Sequence, residues 1–254
     1  MTHHIQLDDY VLSKGSHLSP DDGVCLMELV ALFAGLEHTD QPPCVSKILG
    51  RFGRDLNDGL DDVRRQRLKP LVPRLLGTAD DGLGQARGYL ALDWLIRTYT
   101  PAWLDVAGLH AEAGQLRALP RIVDLATAKA AEPVVRRVAA KAWAVGAEAA
   151  VRDAAGAAWA AKATWDVRDT AGAAGAAGAA GAAAGAAGGA AVAVEAVARA
   201  TWAATWAAWN ARDARDAGDA AAWSARAWAA LKPTIEQLQD SAIDLYTRMI
   251  TPNS

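Results

Sequence analysis

Glu28 is the residue whose type and setting most strongly suggest chemistry, because it is the only charged side chain in the apolar segment VCLMELVALF. An unpaired charge is costly to bury, so we expect this carboxylate at the rim of the core or beside a partner. Cys25 precedes it by about one helical turn. Carboxylate and thiolate groups in this arrangement can bind a metal ion, or a thiol can be activated by a nearby base.

Further residues of suitable type flank this segment: His17 precedes it, and His38, Asp40 and Cys44 follow. A candidate zinc site, or an enzyme site built from the same groups, is therefore formed by Cys25, Glu28, His38 and Cys44. The two cysteines do not form a CxxC element, and a free cysteine often serves as a small buried hydrophobic residue. The sequence leaves both interpretations open.

A basic cluster is the second candidate site and consists of Arg64, Arg65, Arg67, Lys69 and Arg74. Such a cluster could contact a phosphate backbone. It follows Asp55, Asp58, Asp61 and Asp62, and this alternation of charge is typical of a salt-bridged surface helix. The net charge of −3 gives no basic footprint, so nucleic-acid binding is kept only as a second alternative.

Motifs for common enzyme classes are absent from the sequence: it has no P-loop, no dinucleotide-binding fingerprint and no nucleophile elbow. Two cysteines in 254 residues are too few for a disulfide framework, and the N-terminal segment lacks the apolar run of a secretory signal. We therefore expect a reduced, cytoplasmic protein.

Helices must position these candidate residues, because no period-2 run bounded by turns is present and proline and glycine divide the first half into short segments. The predicted helices run from Asp21 or Asp22 to Ala34, from Asp40 to Leu56, from Asp61 or Asp62 to a kink or end at Pro70 and Pro73, from Gln85 to Thr98, from a Thr100 cap to Gly108, from Leu109 to Leu119, from Arg121 to Ala131, and from Ile235 to Ile250. The predicted fold class is all-α.

An alanine-rich region begins near Pro133 and reads GAAGAAGAAGAAAGAAGGAA from Gly172 to Ala191. Alanine is the best helix former, so we expect two long helices, Val134 to Arg168 and Ala190 to Ala230. The glycines between them either form the turn of a helical hairpin or line a close helix contact. The uncharged run Thr170 to Val194 is long enough to span a bilayer but has no Leu, Ile or Phe, so we expect no membrane insertion.

Tryptophan spacing predicts a packing surface in the second of these long helices. Trp202, Trp209 and Trp223 are separated by multiples of seven, and Trp206 lies four residues after the first. These positions share one side of a helix, where each ring offers about 150 to 250 Å² of area. We expect them to contact Trp143, Trp159 and Trp165 of the first long helix, another protein or another copy of the chain.

The sequence thus predicts a flexible segment at 1–20, an all-helical domain at 21–131, an alanine- and tryptophan-rich region at 132–231, and an amphipathic helix at 232–254.

The segment DGVCLMELVALFAGLEHTDQPPCVSKILGRFGRDLND, followed by QRLKPLVPRLLGT and the alanine-rich tail, resembles an uncharacterised family of bacterial and phage proteins. That resemblance implies no activity and no catalytic residue. The leading interpretation is a non-enzymatic structural or interaction protein that forms a homo-oligomer.

Overall fold

The structure is a computed structural model that describes residues 5–106, 108–147 and 214–252. The described part is all-α, as predicted, and its extended pairing is confined to a parallel bridge between Leu12 and Val24. Its α-helices are α1 (Leu26–Phe33), α2 (Lys47–Gly59), α3 (Asp62–Gln66), α4 (Val72–Leu75), α5 (Gly84–Trp94), α6 (Thr100–Val106), α7 (His110–Arg117), α8 (Leu125–Ala147) and α9 (Ala214–Ile250). Two 3₁₀ turns, Leu7–Asp9 and Lys69–Leu71, and a π-helical turn, Leu95–Tyr99, complete the described elements.

The chain divides into two compact units, and the first unit contains the residues up to Ala91 together with those from Gln239 onward. The second unit runs from Leu92 to Leu238. This division differs from the predicted boundaries near residues 131 and 231, because α8 and α9 run through both positions without a break. The segment 1–20, predicted to be flexible, contributes Leu12 to the core of the first unit at 1% exposure.

The first unit is completed by the C-terminal end of α9. The predicted C-terminal amphipathic helix buries Ala242, Leu245 and Met249 there. Tyr246 is also fully buried, where its hydroxyl donates a 3.0 Å hydrogen bond to the carbonyl of Leu49 and its ring stacks on Phe52 at 5.8 Å. A Cβ at Gly53 would overlap the Tyr246 hydroxyl, so this position in α2 requires glycine. The end of the chain is therefore part of the core of this unit.

Arg87 in α5 fixes the same C-terminal turn. Its side chain is fully buried and donates to the carbonyls of Met249, at 2.8 Å, and Ile250, at 3.2 Å. Its guanidinium also donates to both carboxylate oxygens of Asp81, in the loop before α5. The last carbonyls of a helix have no partner within the helix, and here a buried cation supplies one.

The second unit is built around consecutive helices that include the π-helical turn Leu95–Tyr99. Thr100 was predicted to be an N-cap, but this prediction is wrong because Thr100 has helical φ and ψ angles and is fully buried. The π turn inserts an extra residue without leaving the helical conformation, so α6 continues the helical path of the chain. Gly108, at φ +78°, then separates α6 from α7 as predicted.

Helix boundaries elsewhere depart from the sequence signals in a consistent way. The first helix was expected from Asp21 or Asp22 but begins at Leu26, and the second was expected from Asp40 but begins at Lys47. A helix was predicted to begin at Arg121 and another at Val134, whereas α8 starts at Leu125 and passes through Pro133. Proline and aspartate signals alone therefore do not set these bounds, and α1 begins instead at an N-cap formed by Cys25.

Several predictions fall on residues outside the described ranges. These are the hairpin or close contact near residues 170–190 and the predicted contacts of Trp202, Trp206 and Trp209 with Trp159 and Trp165. For Trp143 in α8 and Trp223 in α9 the structure describes the backbone alone. Among the described residues, no helix has both the length and the apolar character needed to cross a membrane.

Candidate functional site

The loop before α1 is held against the first unit by backbone pairing. The amide of Ser13 donates to the carbonyl of Val24 at 2.9 Å, beside the bridge between Leu12 and Val24. The side-chain amide of Gln66 completes the pairing, because it accepts from the Leu12 amide at 2.9 Å and donates to the Leu12 carbonyl at 2.8 Å. These bonds place Ser13 and the following residues over the start of α1.

Helix α1 begins with a capping box in which cysteine takes the place usually held by serine or threonine. The Cys25 thiol accepts from the Glu28 amide at 3.5 Å, and the Glu28 carboxylate accepts from the Cys25 amide at 2.7 Å. This reciprocal arrangement satisfies amides that the first turn of a helix leaves unpaired. Glu28 therefore has one role that is purely structural.

The Glu28 carboxylate makes two further short hydrogen bonds, both with His17. One oxygen accepts from the His17 amide at 2.7 Å, and the other lies 2.8 Å from His17 Nδ1. Burial at 1% exposure would raise the pKa of Glu28, but the bonds from the Cys25 and His17 amides and from the His17 ring outweigh it and lower the pKa. Glu28 is thus a buried, ionised group with several partners, as the sequence required.

The His17 ring connects this carboxylate to a serine hydroxyl. Ionised Glu28 can only accept a hydrogen bond, so Nδ1 of His17 carries the proton that faces it. The other ring nitrogen, Nε2, lies 2.9 Å from Ser13 Oγ. The residues Ser13, His17 and Glu28 therefore form a continuous hydroxyl–imidazole–carboxylate chain, which we call the Ser–His–Glu chain.

Gly23 covers this chain on one side. An ideal Cβ at position 23 would lie 2.8 Å from the His17 ring and 2.8 Å from Ser13 Oγ, which is closer than van der Waals contact allows. The backbone of Gly23 has φ +132°, a conformation that L side chains rarely adopt. Both facts require glycine at this position.

His38 is a further imidazole near Glu28. Its Nε2 is 3.1 Å from the His17 carbonyl and 3.8 Å from a Glu28 oxygen, so it supports the backbone of His17 and adds a second imidazole near the carboxylate. The Nδ1 atom of His38 is buried, and no described residue gives it a hydrogen-bond partner.

The structure thus brings three of the four predicted metal ligands close together, namely Cys25, Glu28 and His38. Among the described residues, however, no group of three or more histidine, cysteine or acidic side chains is placed to hold a metal ion. Cys44 is half-buried just before the Ser46 N-cap of α2. Burial raises the pKa of the Cys25 thiol to about 12, so this thiol stays protonated and is a poor nucleophile or metal ligand at neutral pH.

The basic cluster of α3 and the turn after it is engaged within the chain. Arg64 pairs with Asp61 and Asp240, and Arg67 pairs with the same Asp240. The remaining members also have partners: Arg65 donates to the carbonyls of Asn57 and Leu60, Lys69 to the carbonyl of Tyr10, and Arg74 to Thr251. Of the two interpretations of this cluster, a salt-bridged surface and a phosphate-binding site, these contacts favour the first.

Sequence reasoning identified Glu28 and its neighbours but missed Ser13. The C-x-x-E spacing of Cys25 and Glu28 could have predicted the capping box, since it matches the S/T-x-x-E pattern with cysteine at the N-cap. The sequence gives less indication that Ser13 pairs with His17, because this contact depends on the path of a loop that has no helical or strand periodicity.

Comparison with known proteins gives this chain no relative. No protein-family model, no curated protein and no solved structure matches it.

Proposed function

We propose that this chain is a structural or protein-interaction protein that assembles with a second copy of itself through its alanine- and tryptophan-rich helices. The observation that supports this proposal is that residues 148–213 lie between two long helices, the 23-residue α8 and the 37-residue α9. Each of these helices includes part of the alanine-rich region, which begins near Pro133.

The described part of α8 indicates how alanine is used in this chain. Its buried positions are Ala128, Ala131, Val135, Val138, Ala139 and Ala142. Apart from the adjacent pair Val138 and Ala139, successive positions are three or four residues apart. They define one helix face, on which small side chains allow neighbouring backbones to approach closely. The same residue types in the alanine-rich region support a role in helix packing, with the tryptophan rings supplying the buried apolar area.

Charge distribution supports a protein partner over a nucleic acid. The net charge is −3, and the strongest basic cluster is paired with carboxylates and backbone carbonyls of the same chain. Binding a phosphate backbone would require these internal bonds to break before new ones formed.

Light scattering over a range of concentrations tests the proposal on the full-length chain. A shorter chain ending near Ala131 would be unsuitable, because the first unit needs the residues from Gln239 onward. We expect the wild type to form an oligomer, and we expect a variant carrying Trp202→Ala, Trp206→Ala and Trp209→Ala to shift towards the monomer. Replacement of Thr201 and Thr205 by alanine is the matched control and should leave the mass unchanged.

Two results would contradict the proposal. One is a wild-type chain that stays monomeric at every concentration, and the other is a tryptophan variant with the same oligomeric mass as the wild type. Circular dichroism of each variant checks that the helices are retained, so that loss of assembly is not confused with unfolding.

A further inference from the structure

We propose that the Ser–His–Glu chain is a nucleophilic site that accepts the acyl group of an activated ester. The proposal is independent of self-assembly and rests on two distances. Ser13 Oγ lies 2.9 Å from His17 Nε2, and His17 Nδ1 lies 2.8 Å from Glu28 Oε2. This order of hydroxyl, imidazole and carboxylate activates a serine in unrelated hydrolase folds, where it is recognised by geometry and not by sequence position.

The orientation of His17 is fixed by its surroundings. Its backbone amide donates to Glu28 Oε1, its carbonyl lies 3.1 Å from Nε2 of His38, and its ring is bonded at Nδ1 to Glu28. The proton on Nδ1 leaves the Nε2 lone pair facing the hydroxyl of Ser13. An imidazole in this tautomer can act as a general base towards that hydroxyl.

The site also accommodates the protonated form of His17 without losing a hydrogen bond. Ser13 Oγ lies 3.3 Å from the carbonyl of Val24, a second acceptor for the hydroxyl proton. When His17 carries two protons, Nε2 donates to Ser13 Oγ and the hydroxyl turns to Val24. Buried, ionised Glu28 stabilises the positive charge on the ring. A general base needs both states to be accessible, and this arrangement provides partners for each.

A substrate can reach the Ser–His–Glu chain from the side formed by the loop before α1. Ser13 is half-buried and the His17 side chain is 12% exposed, so both reach the surface of the unit, whereas Glu28 is buried beneath them. Leu18, which follows His17, is 96% exposed and is the most exposed of the large apolar side chains described. An apolar acyl or aryl group could therefore contact Leu18 while its carbonyl reaches Ser13.

The reaction balances with water as the only co-reactant. Ser13 Oγ forms a bond to the ester carbonyl carbon as its proton passes to His17 Nε2, and the bond to the leaving oxygen breaks as that oxygen takes the proton. Water then attacks the acyl-serine, gives a proton to His17 and releases the carboxylic acid, with Ser13 regaining its proton. An ester with a good leaving group is the appropriate class, because it depends least on stabilisation of the oxyanion.

The test uses the folded full-length chain with p-nitrophenyl acetate and, separately, a fluorophosphonate probe. We expect release of p-nitrophenolate and an acetyl or phosphonyl group on the peptide that contains Ser13, as read by mass spectrometry. Ser13→Ala should abolish the label, and His17→Gln should slow the reaction by about 100-fold. Ser16→Ala, in the same loop at an exposed position, is the matched control and should react like the wild type.

Glu28 is a positioning residue in this scheme, so its test needs a readout that a structural role alone would not change. Glu28→Gln should move the pH–rate profile of labelling to lower pH, because a neutral amide no longer stabilises the protonated ring. Thermal unfolding identifies the temperature range in which each variant is folded. Where Glu28→Gln does not fold, the Ser13→Ala and His17→Gln pair decides the question.

Three outcomes would overturn the proposal. The first is a folded wild type that takes no label from either probe. The second is labelling at another residue that persists in Ser13→Ala, and the third is labelling of Ser13 at the same rate in His17→Gln, which would show a hydroxyl that reacts without the base.

Discussion

In the first unit, several buried polar groups are paired with partners far away in the sequence, whereas the ion pairs described in the second unit are partly exposed and span 12 residues or fewer, as in Arg117 with Asp105. Arg87 bonds to the carbonyls of Met249 and Ile250, and Asn57 bonds to the carbonyl of Ser13. In the second unit, Arg97 in the π-helical turn pairs with Asp93 at the end of α5, and Arg136 pairs with Glu132 within α8, each pair four residues apart.

This difference indicates that each unit is stabilised internally by a different kind of interaction. The first unit depends on specific polar contacts between distant segments, and removal of one member leaves buried partners unpaired. The second unit depends more on apolar and small side chains, and its partly exposed i,i+4 pairs add about 0.3–0.5 kcal/mol each at most. Substitutions of buried polar residues should therefore lower the free energy of unfolding much more in the first unit than in the second.

Arg87→Leu should cause the largest loss of unfolding free energy among the substitutions predicted below. The change leaves Asp81 and two backbone carbonyls without their cationic partner, and breaking a buried pair in this way costs about 3–5 kcal/mol. Urea unfolding followed by circular dichroism measures the loss. Arg136→Ala in the second unit is the matched control, with an expected change of about 0.5 kcal/mol or less. Equal effects of the two substitutions would refute the proposed difference between the units.

Local sequence signals predicted several elements of the first unit correctly. Asp61 caps α3, as expected, by accepting from the amides of Val63 and Arg64. Helix α1 ends at Phe33, one residue before the predicted end at Ala34, and Gly35 follows it with positive φ. The amphipathic stripe near the C-terminus is also buried as predicted. These features depend on residues within one or two helical turns, so a single sequence contains the information.

Features that depend on tertiary packing were not predicted. Pro133 and the change in composition beside it indicated a boundary, but the buried positions Ala131, Val135 and Val138 form one face across the proline. Burial of this face outweighs the hydrogen bond that proline removes. At the candidate site, the need for a partner to Glu28 was predictable, but the connection from His17 to Ser13 requires knowledge of how the loop folds back on α1.

Glu28→Gln should give the second largest effect, about 3 kcal/mol near neutral pH, because three hydrogen bonds to a carboxylate are weakened. The pKa of Glu28 is lower in the folded chain than in the unfolded one, so its contribution is complete above the unfolded pKa of about 4.3 and is lost as pH falls through the folded pKa.

The pH dependence separates this contribution from other carboxylates. The pKa values of Asp81 and Asp240 are also lowered, by their arginine partners first of all, but these residues remain in both proteins. The difference in unfolding free energy between the wild type and Glu28→Gln should therefore shrink as pH falls below the unfolded pKa of Glu28. A difference that stays constant from neutral to acidic pH would mean that the carboxylate charge contributes nothing.

Two glycine substitutions should give smaller effects of opposite sign. Gly23→Ala in the first unit forces a Cβ against His17 and Ser13 at φ +132°, and strain of this kind costs about 1–3 kcal/mol. Gly114 lies within α7 of the second unit, where a Cβ would meet no atom within 4 Å, so Gly114→Ala should stabilise the chain by about 1 kcal/mol.

Thermal unfolding of the two glycine variants compares the units directly, because the chemical change is identical and only its surroundings differ. The expected result is a lower melting temperature for Gly23→Ala and a higher one for Gly114→Ala. Gly23→Ala should also reduce labelling of Ser13, since the added methyl group separates the hydroxyl from His17 Nε2. Gly23→Ala with unchanged stability would mean that the loop before α1 can shift freely. In that case the contacts of Ser13 and His17 would not be fixed by the fold.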